Sequence, residues 1–248
     1  MKINRFQIGL SLIELLIAML ISAFLIAGIL QIFIGSKQTY SMQQNLSRLQ
    51  ENGRFALEFL ERDIRMAGYW DCLVQSTTNT ISDISGVDGG GIVPDTLTLK
   101  GAYTQAITGS QVCGDPVNTA ATYYTGSSST KTYTIIKCLN SVNVGLTNDG
   151  TTKCLIEGIE NMQILYGVDT DGDMSPNSYL STPTSGVSVK SDWDKVVSIN
   201  ISLLAVTLDD NLTSQPIPYT FNGNTYTPPD RKIRRVFTTT IALRNRLL

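Results

Sequence analysis

A chain of 248 residues, 42% hydrophobic and 16% charged, is long enough to enclose a core of its own. Its formal net charge of −2 gives no global footprint for nucleic acid. With no histidine, Ser-His-Asp catalysis is excluded and zinc centres of the usual Cys/His kinds are argued against. No Gly-x-Ser-x-Gly nucleophile motif is present either, so the chain is not expected to be an enzyme.

The first element is an apolar run that opens with Gly9-Leu10-Ser11-Leu12-Ile13-Glu14-Leu15-Leu16 and continues to about Ile34. Roughly 25 residues at about 1.5 Å each make some 37 Å of helix, against a bilayer core of roughly 30 Å. Lys2 and Arg5 precede the run and would hold that end on the cytoplasmic side. The run exceeds the usual apolar region of a secretory signal, and its far side, Gln31 to Ser36, is an indifferent cleavage site. A plain single-pass anchor is the simplest alternative. Against it stands Glu14, the one charge in the run; a carboxylate at that depth costs several kcal/mol without a partner, which marks it as functional.

Beyond Ile34 the pattern becomes amphipathic without a proline. Met42, Leu46, Leu49, Gly53, Ala56, Leu60, Ile64 and Ala67 succeed one another at steps of three and four, a stripe that faces a partner. Glu58 with Arg62 and Glu61 with Arg65 stand in the favoured i,i+4 order, and Gly68 supplies a C-terminal cap. One helix is therefore expected from about Leu10 to Ala67, near 87 Å by the same rise. Residues 10–35 would be its membrane-spanning part and 36–68 its amphipathic part. Fewer than four heptads and a β-rich continuation favour packing on a sheet over a coiled coil.

Residues 69–248 read as a β-rich head. Thr96 to Leu99, Thr132 to Ile136, Leu155 to Glu160 and Met162 to Tyr166 have strand character. Val197 to Leu203 alternates most clearly, as a half-buried strand, and the last strand spans Val236 to Leu243. Pro216, Pro218, Pro228 and Pro229 punctuate the loop before it. The four cysteines, Cys72, Cys113, Cys138 and Cys154, imply two disulfides in an exported domain, with three connectivities open. The turn signal Asn148-Asp149-Gly150 between Cys138 and Cys154 favours 138–154, which leaves 72–113.

Asp169-Thr170-Asp171-Gly172-Asp173 is the one constellation with metal logic, since alternate carboxylates on a tight loop suit calcium. As an EF-hand it is incomplete: position 6 is Met174 and position 12 is Leu180, so Asn177, Asp192 or Asp194 would have to complete a site at Asp169, Asp171 and Asp173. The alternative is a solvated acidic turn after a strand that ends near Val168.

Gly9-Leu10-Ser11-Leu12-Ile13-Glu14 resembles the processing motif of type IV prepilins and type II secretion pseudopilins, with Leu10 where that family more often has Phe. The resemblance implies a leader of residues 1–9, a cut between Gly9 and Leu10 by prepilin peptidase, N-methylation of Leu10, and Glu14 pairing with the new N-terminus of a neighbouring subunit. Leader removal would take Lys2 and Arg5 and leave a net charge of −4. Three further segments look like the PilW family of minor pilins: Glu51 to Ala56 with Arg62 to Trp70, Leu155 to Gln163 with Tyr166 to Asp169, and Arg234 to Arg246. The family implies an α+β, pilin-like fold, one long N-terminal helix packed on an antiparallel sheet. It also implies a minor pilin that primes or caps a pilus, supporting adhesion, twitching motility or DNA uptake. The implied partners are other minor pilins, the major pilin and the inner-membrane assembly platform. The expected location is the bacterial inner membrane as a single-pass prepilin, then the pilus at the cell surface. A J-type pseudopilin of a type II secretion system is the nearest alternative, and a membrane-anchored calcium or ligand-binding module that never polymerises is the one from another class. Arg231, Lys232, Arg234, Arg235, Arg244 and Arg246 are read as pairing acidic groups on neighbouring subunits rather than as a nucleic-acid surface.

Overall fold

The computed structural model describes residues 11–68, 83–91, 93–101, 129–138, 144–148, 153–182 and 190–246. Helix α1 runs unbroken through Leu12–Met66. Ser11 opens it, its Oγ accepting the Glu14 amide at 3.3 Å and its carbonyl accepting the amides of Glu14 and Leu15. At the other end Gly68 takes φ +74°, the left-handed conformation that ends a helix. Two of the last carbonyls, those of Arg65 and Ala67, accept the side-chain amide of Asn245, each at 3.1 Å.

The chain divides within α1 into two compact units, residues 1–44 and 45–248. In the first, every described residue from Ser11 to Tyr40 is exposed. In the second, Asn45, Leu49, Gly53, Ala56, Leu60, Asp63 and Ile64 form the buried face of the helix. The stripe expected from the sequence thus changes at its start. Met42 is exposed, while Asn45 is drawn inside because its side-chain amide donates to Asp209 at 2.9 Å. Arg62 does not pair with Glu58 but reaches Asp63 (3.3 Å) and lies over the Phe59 ring. Glu61 and Arg65 do pair.

The strands of the head are β1 (Ile84–Val87), β2 (Thr96–Gly101), β3 (Ser129–Lys137), β4 (Val144–Thr147), β5 (Ile156–Glu157), β6 (Ile159–Val168), β7 (Ser178–Leu180), β8 (Val196–Val206), β9 (Tyr219–Phe221), β10 (Asn224–Tyr226) and β11 (Arg234–Ala242), with a single-turn helix α2 (Lys190–Trp193) before β8. Strands β1 to β5 pair in chain order as one sheet, β11-β8-β6-β7 form a second, and β9–β10 are a hairpin. Every pairing is antiparallel.

Two residues join the sheets. Gly158, at φ +78°, donates its amide to the Val144 carbonyl in one sheet and accepts the Val206 amide from the other, both at 2.8 Å. A Cβ there would lie 2.9 Å from the Val206 carbonyl, so a side chain is excluded twice over. Asp95 is buried just before β2; its amide donates to Met162 at 2.8 Å, and its two carboxylate oxygens accept the amides of Gly89 (2.8 Å) and Ile164 (2.7 Å). One hydrophobic cluster then runs from Leu49, Ala56, Leu60 and Ile64 of α1 through Leu97, Tyr133 and Leu146 of the first sheet to Ile164, Ile199 and Ile241 of the second.

One expectation holds in part and one is corrected. In β8 the alternation holds from Ile199 to Leu203, with Asn200 and Ser202 partly exposed, whereas Ser198 is covered under β7, where its hydroxyl lies 3.2 Å from that of Tyr179. The proline-punctuated loop before the last strand contains the β9–β10 hairpin. Its turn is Asn222-Gly223, both residues at positive φ, the mirror-image turn that matches strand twist.

Burial pushes the Asp95 carboxyl above its ordinary value, so its ionisation works against folding as pH rises. Asp95→Asn would not relieve this. Both Asp95 oxygens are acceptors, and an amide replaces one of them with a donor facing a donor. The substitution is expected to cost about 1–3 kcal/mol, read by thermal or urea unfolding of the full chain in detergent; an unchanged midpoint would contradict this role.

Candidate functional site

Described by itself, the part of α1 before Asn45 is a helix built for a non-aqueous surrounding. It is long and apolar enough to cross a membrane. Glu14 stands in its first turn, where the backbone amides are partly positive and lessen the cost of a carboxylate. Gly9 and Leu10 lie outside the described residues.

In the head, segments far apart in the sequence converge on the seam between α1 and the sheets. Asn52 donates its side-chain amide to the Glu157 carbonyl at 3.0 Å, beside the Gly158 kink. At Gly53 a Cβ would lie 2.4 Å from the Phe237 ring, so the helix has a glycine where β11 presents its aromatic side chain. Asp63, buried in the helix, receives Lys131 Nζ at 2.6 Å and the Tyr133 hydroxyl from β3. A buried carboxylate held by a cation and a phenol sets where the helix can sit.

Arg234 at the start of β11 is nearly buried and doubly forked. Its Nε and Nη2 reach Glu160 (2.6 and 3.0 Å), its Nη1 and Nη2 reach Asp230 (2.7 and 2.8 Å), and its guanidinium lies over the Tyr219 ring. Burial works against this charge, but the hydrogen bonds to Asp230 and Glu160 outweigh it and hold the guanidinium more firmly charged than usual. Arg231 donates its backbone amide to Asp210 at 2.8 Å and its guanidinium to the Asn211 side-chain carbonyl, with no ion pair among the described residues. Arg234 is therefore paired with carboxylates of its own chain, contrary to the reading that it serves neighbouring subunits. Arg235 and Arg244 are exposed and have no ion pair among the described residues.

Cys138 and Cys154 form a disulfide with Cα atoms 5.2 Å apart, closing the loop that contains β4. Gly145 passes beneath it; a Cβ there would sit 3.0 Å from both sulfurs. Cys72 and Cys113 lie outside the described residues.

In the acidic loop, Asp169, Asp171 and Asp173 each bring a carboxylate oxygen within 4.8 Å of the others. Asp169 accepts the amides of Asp171, Gly172 and Met174, and Asp171 accepts the Asn177 side-chain amide. Asn177 Oδ1 in turn accepts from Thr170. Met174, where an EF-hand has glycine, takes φ +66°, so the backbone follows the glycine conformation without the glycine. Leu180, at the twelfth position, lies exposed in β7 and offers no carboxylate. Neither Asp192 nor Asp194 joins the cluster. The three carboxylates are the ones that could hold a hard cation such as calcium.

Signals for the parts that sequence reasoning passed over were slight. Asn222-Gly223 between Tyr219-Thr220-Phe221 and Asn224-Thr225-Tyr226 is a hairpin signature. Nothing in the sequence marks Asn245 as a helix cap or Asn45 as a partner of Asp209.

The fold and the exposed apolar helix define a class, the pilin-like proteins, and the model of the prokaryotic N-terminal methylation motif matches residues 4–30. The model of the family described as type IV pilus-assembly protein W matches residues 122–245, half of the chain. The chain belongs to that family of minor pilins. No curated protein matches the sequence. Among solved structures, a type IV-like pilin from Thermus thermophilus matches with a TM-score of 0.41 and 14% identity, over 80% of this chain and 98% of that one.

Two outcomes follow for the head. The amide of Gly172, with those of Met174 and Asp171, holds the Asp169 carboxyl below its ordinary value. A lowered native value means that this carboxylate stabilises the loop fully above about pH 4 and loses that effect as pH falls through the native value. Amide exchange at Gly172 and Met174 should therefore quicken on acidification beyond the intrinsic pH trend, and Asp169→Asn should flatten that excess. Arg234→Ala leaves two carboxylates facing each other and should lower stability by about 2–4 kcal/mol, more than Arg235→Ala, as measured by urea unfolding.

Proposed function

We propose that this chain is a prepilin subunit, cut after Gly9, methylated on Leu10, and assembled with other minor pilins into a complex that primes or caps a type IV pilus. The observation that supports this best is the pairing of one exposed, membrane-length apolar helix with a head that belongs to the PilW family. Inserted in the inner membrane, the helix is satisfied by lipid; in a filament it is satisfied by the helices of neighbouring subunits. Glu14 changes partner between the two states. In lipid its charge has only the helix N-terminus to lean on, whereas in a filament the ammonium of a neighbour's residue 10 compensates it. Such a pair sets axial register more than it adds net stability. The prepilin peptidase, the assembly platform and the major pilin are the partners this scheme requires, and adhesion, twitching motility or DNA uptake are the activities it would serve.

Mass spectrometry of the N-terminal peptide tests the scheme at its first step. The expected species begins at Leu10 and carries one methyl group; a chain that still begins at Met1, in cells with active prepilin peptidase, would overturn it. Glu14→Ala is expected to leave membrane insertion intact and to reduce recovery in sheared pili by about tenfold or more, a loss of at least about 1.4 kcal/mol in incorporation.

A further inference from the structure

The four-stranded sheet ends in two open edges of opposite charge, and the geometry points to an interface in which β11 of one copy of this chain pairs with β7 of a second copy. Among the described residues neither strand has a second neighbour. The amide of Leu243 donates to Val197, which makes that pair hydrogen-bonded; by alternation Val236, Thr238, Thr240 and Ala242 turn their backbone N–H and C=O groups outward. Such an edge is a template for another strand.

The charges select the partner. At the end of the sheet where β11 finishes, Arg244 is exposed and without an ion pair among the described residues. At the same end, β7 follows the exposed Asp171 and Asp173. An antiparallel pair of β11 edges would set Arg244 toward the basic residues Arg231, Lys232 and Arg235 near the start of the other strand. β11 against β7 joins opposite signs.

Strand direction and register agree with this choice. Successive antiparallel pairings make β11 and β7 run in opposite senses, so a translated copy sets its β7 antiparallel to β11. Ala242, Ser198, Gly167 and Tyr179 lie at one level across the sheet. A copy displaced along the sheet therefore brings its Tyr179 beside Ala242 and its acidic loop beside Arg244. Both residues are exposed on the same face. The contact is head-to-tail and does not close on itself. With three residues in β7 it forms few hydrogen bonds, so it operates where copies are already concentrated on a membrane or in an assembly. It goes beyond the pilus reading and stands or falls separately from N-terminal processing.

The test uses the full chain in detergent micelles under non-reducing conditions, with a short bis-maleimide as probe. Differently tagged Ala242→Cys and Tyr179→Cys chains are cross-linked alone and mixed. The expected result is a mixed dimer that exceeds the product of either variant alone or of the wild type. Arg244→Glu should lower its yield by about threefold, and Asp171→Lys with Asp173→Lys in the partner should restore it. Raising salt to about 1 M, where screening falls to about 3 Å, should lower the yield of the unaltered pair without any folding variant. No mixed dimer, a mixed dimer no stronger than the single-variant products, or a yield indifferent both to charge reversal and to salt would overturn the interface.

Discussion

The head depends on one constraint, the close approach of the second half of α1 to two sheets at once. Gly53 lets the helix backbone meet the Phe237 ring, and Leu49, Ala56, Leu60 and Ile64 fill the cluster on either side. Burying each large aliphatic side chain contributes roughly 1.5–3 kcal/mol, a driving force without direction. A small axial slide of the helix would bury much the same apolar area. What singles out the observed placement is polar: Asp63 between Lys131 and Tyr133, Asn52 on the Glu157 carbonyl, Asn45 on Asp209, and Asn245 over the helix end.

The same division of labour holds between the sheets. They share the hydrophobic cluster, but Gly158 and Asp95 determine how they meet, one by a backbone kink and the other by a carboxylate that accepts amides from two directions. Arg234 does this at the start of β11, tying loop 227–233 and the β9–β10 hairpin to β6 through Asp230, Tyr219 and Glu160. Each of these groups is costly to bury alone and tolerable only with its partners, so each penalises alternative packings more than it strengthens the observed one. The three sequence segments that resemble the minor-pilin family supply one partner or both to most of these contacts.

Function lies where this packing stops. The apolar helix before Asn45 has no interior of its own to enter, and a surface of that kind requires lipid or other helices. Among the described residues the outer strands of the four-stranded sheet have no second neighbour, with arginine at one edge and aspartate at the other.

Much of this was legible from residue order. Helical periodicity, the onset of amphipathic character beyond Ile34, the missing proline and Gly68 determine one long helix; alternation in β2 and β8 and β-branched, aromatic content in β3 determine strands. The processing motif and Glu14 are local patterns and need no fold to be seen. The Asn222-Gly223 hairpin was also written locally, though four prolines around it suggested a loop. What only the tertiary structure decided is which polar groups are inside and whom they meet. Asn45 and Asp63 look like solvent residues on a helical wheel, and Arg234 looks like one of a basic run, until partners 164, 68 and 74 positions away along the chain are brought against them. Periodicity reports the average polarity of a face. The pairing of a buried charge depends on long-range register, which no short window of sequence contains.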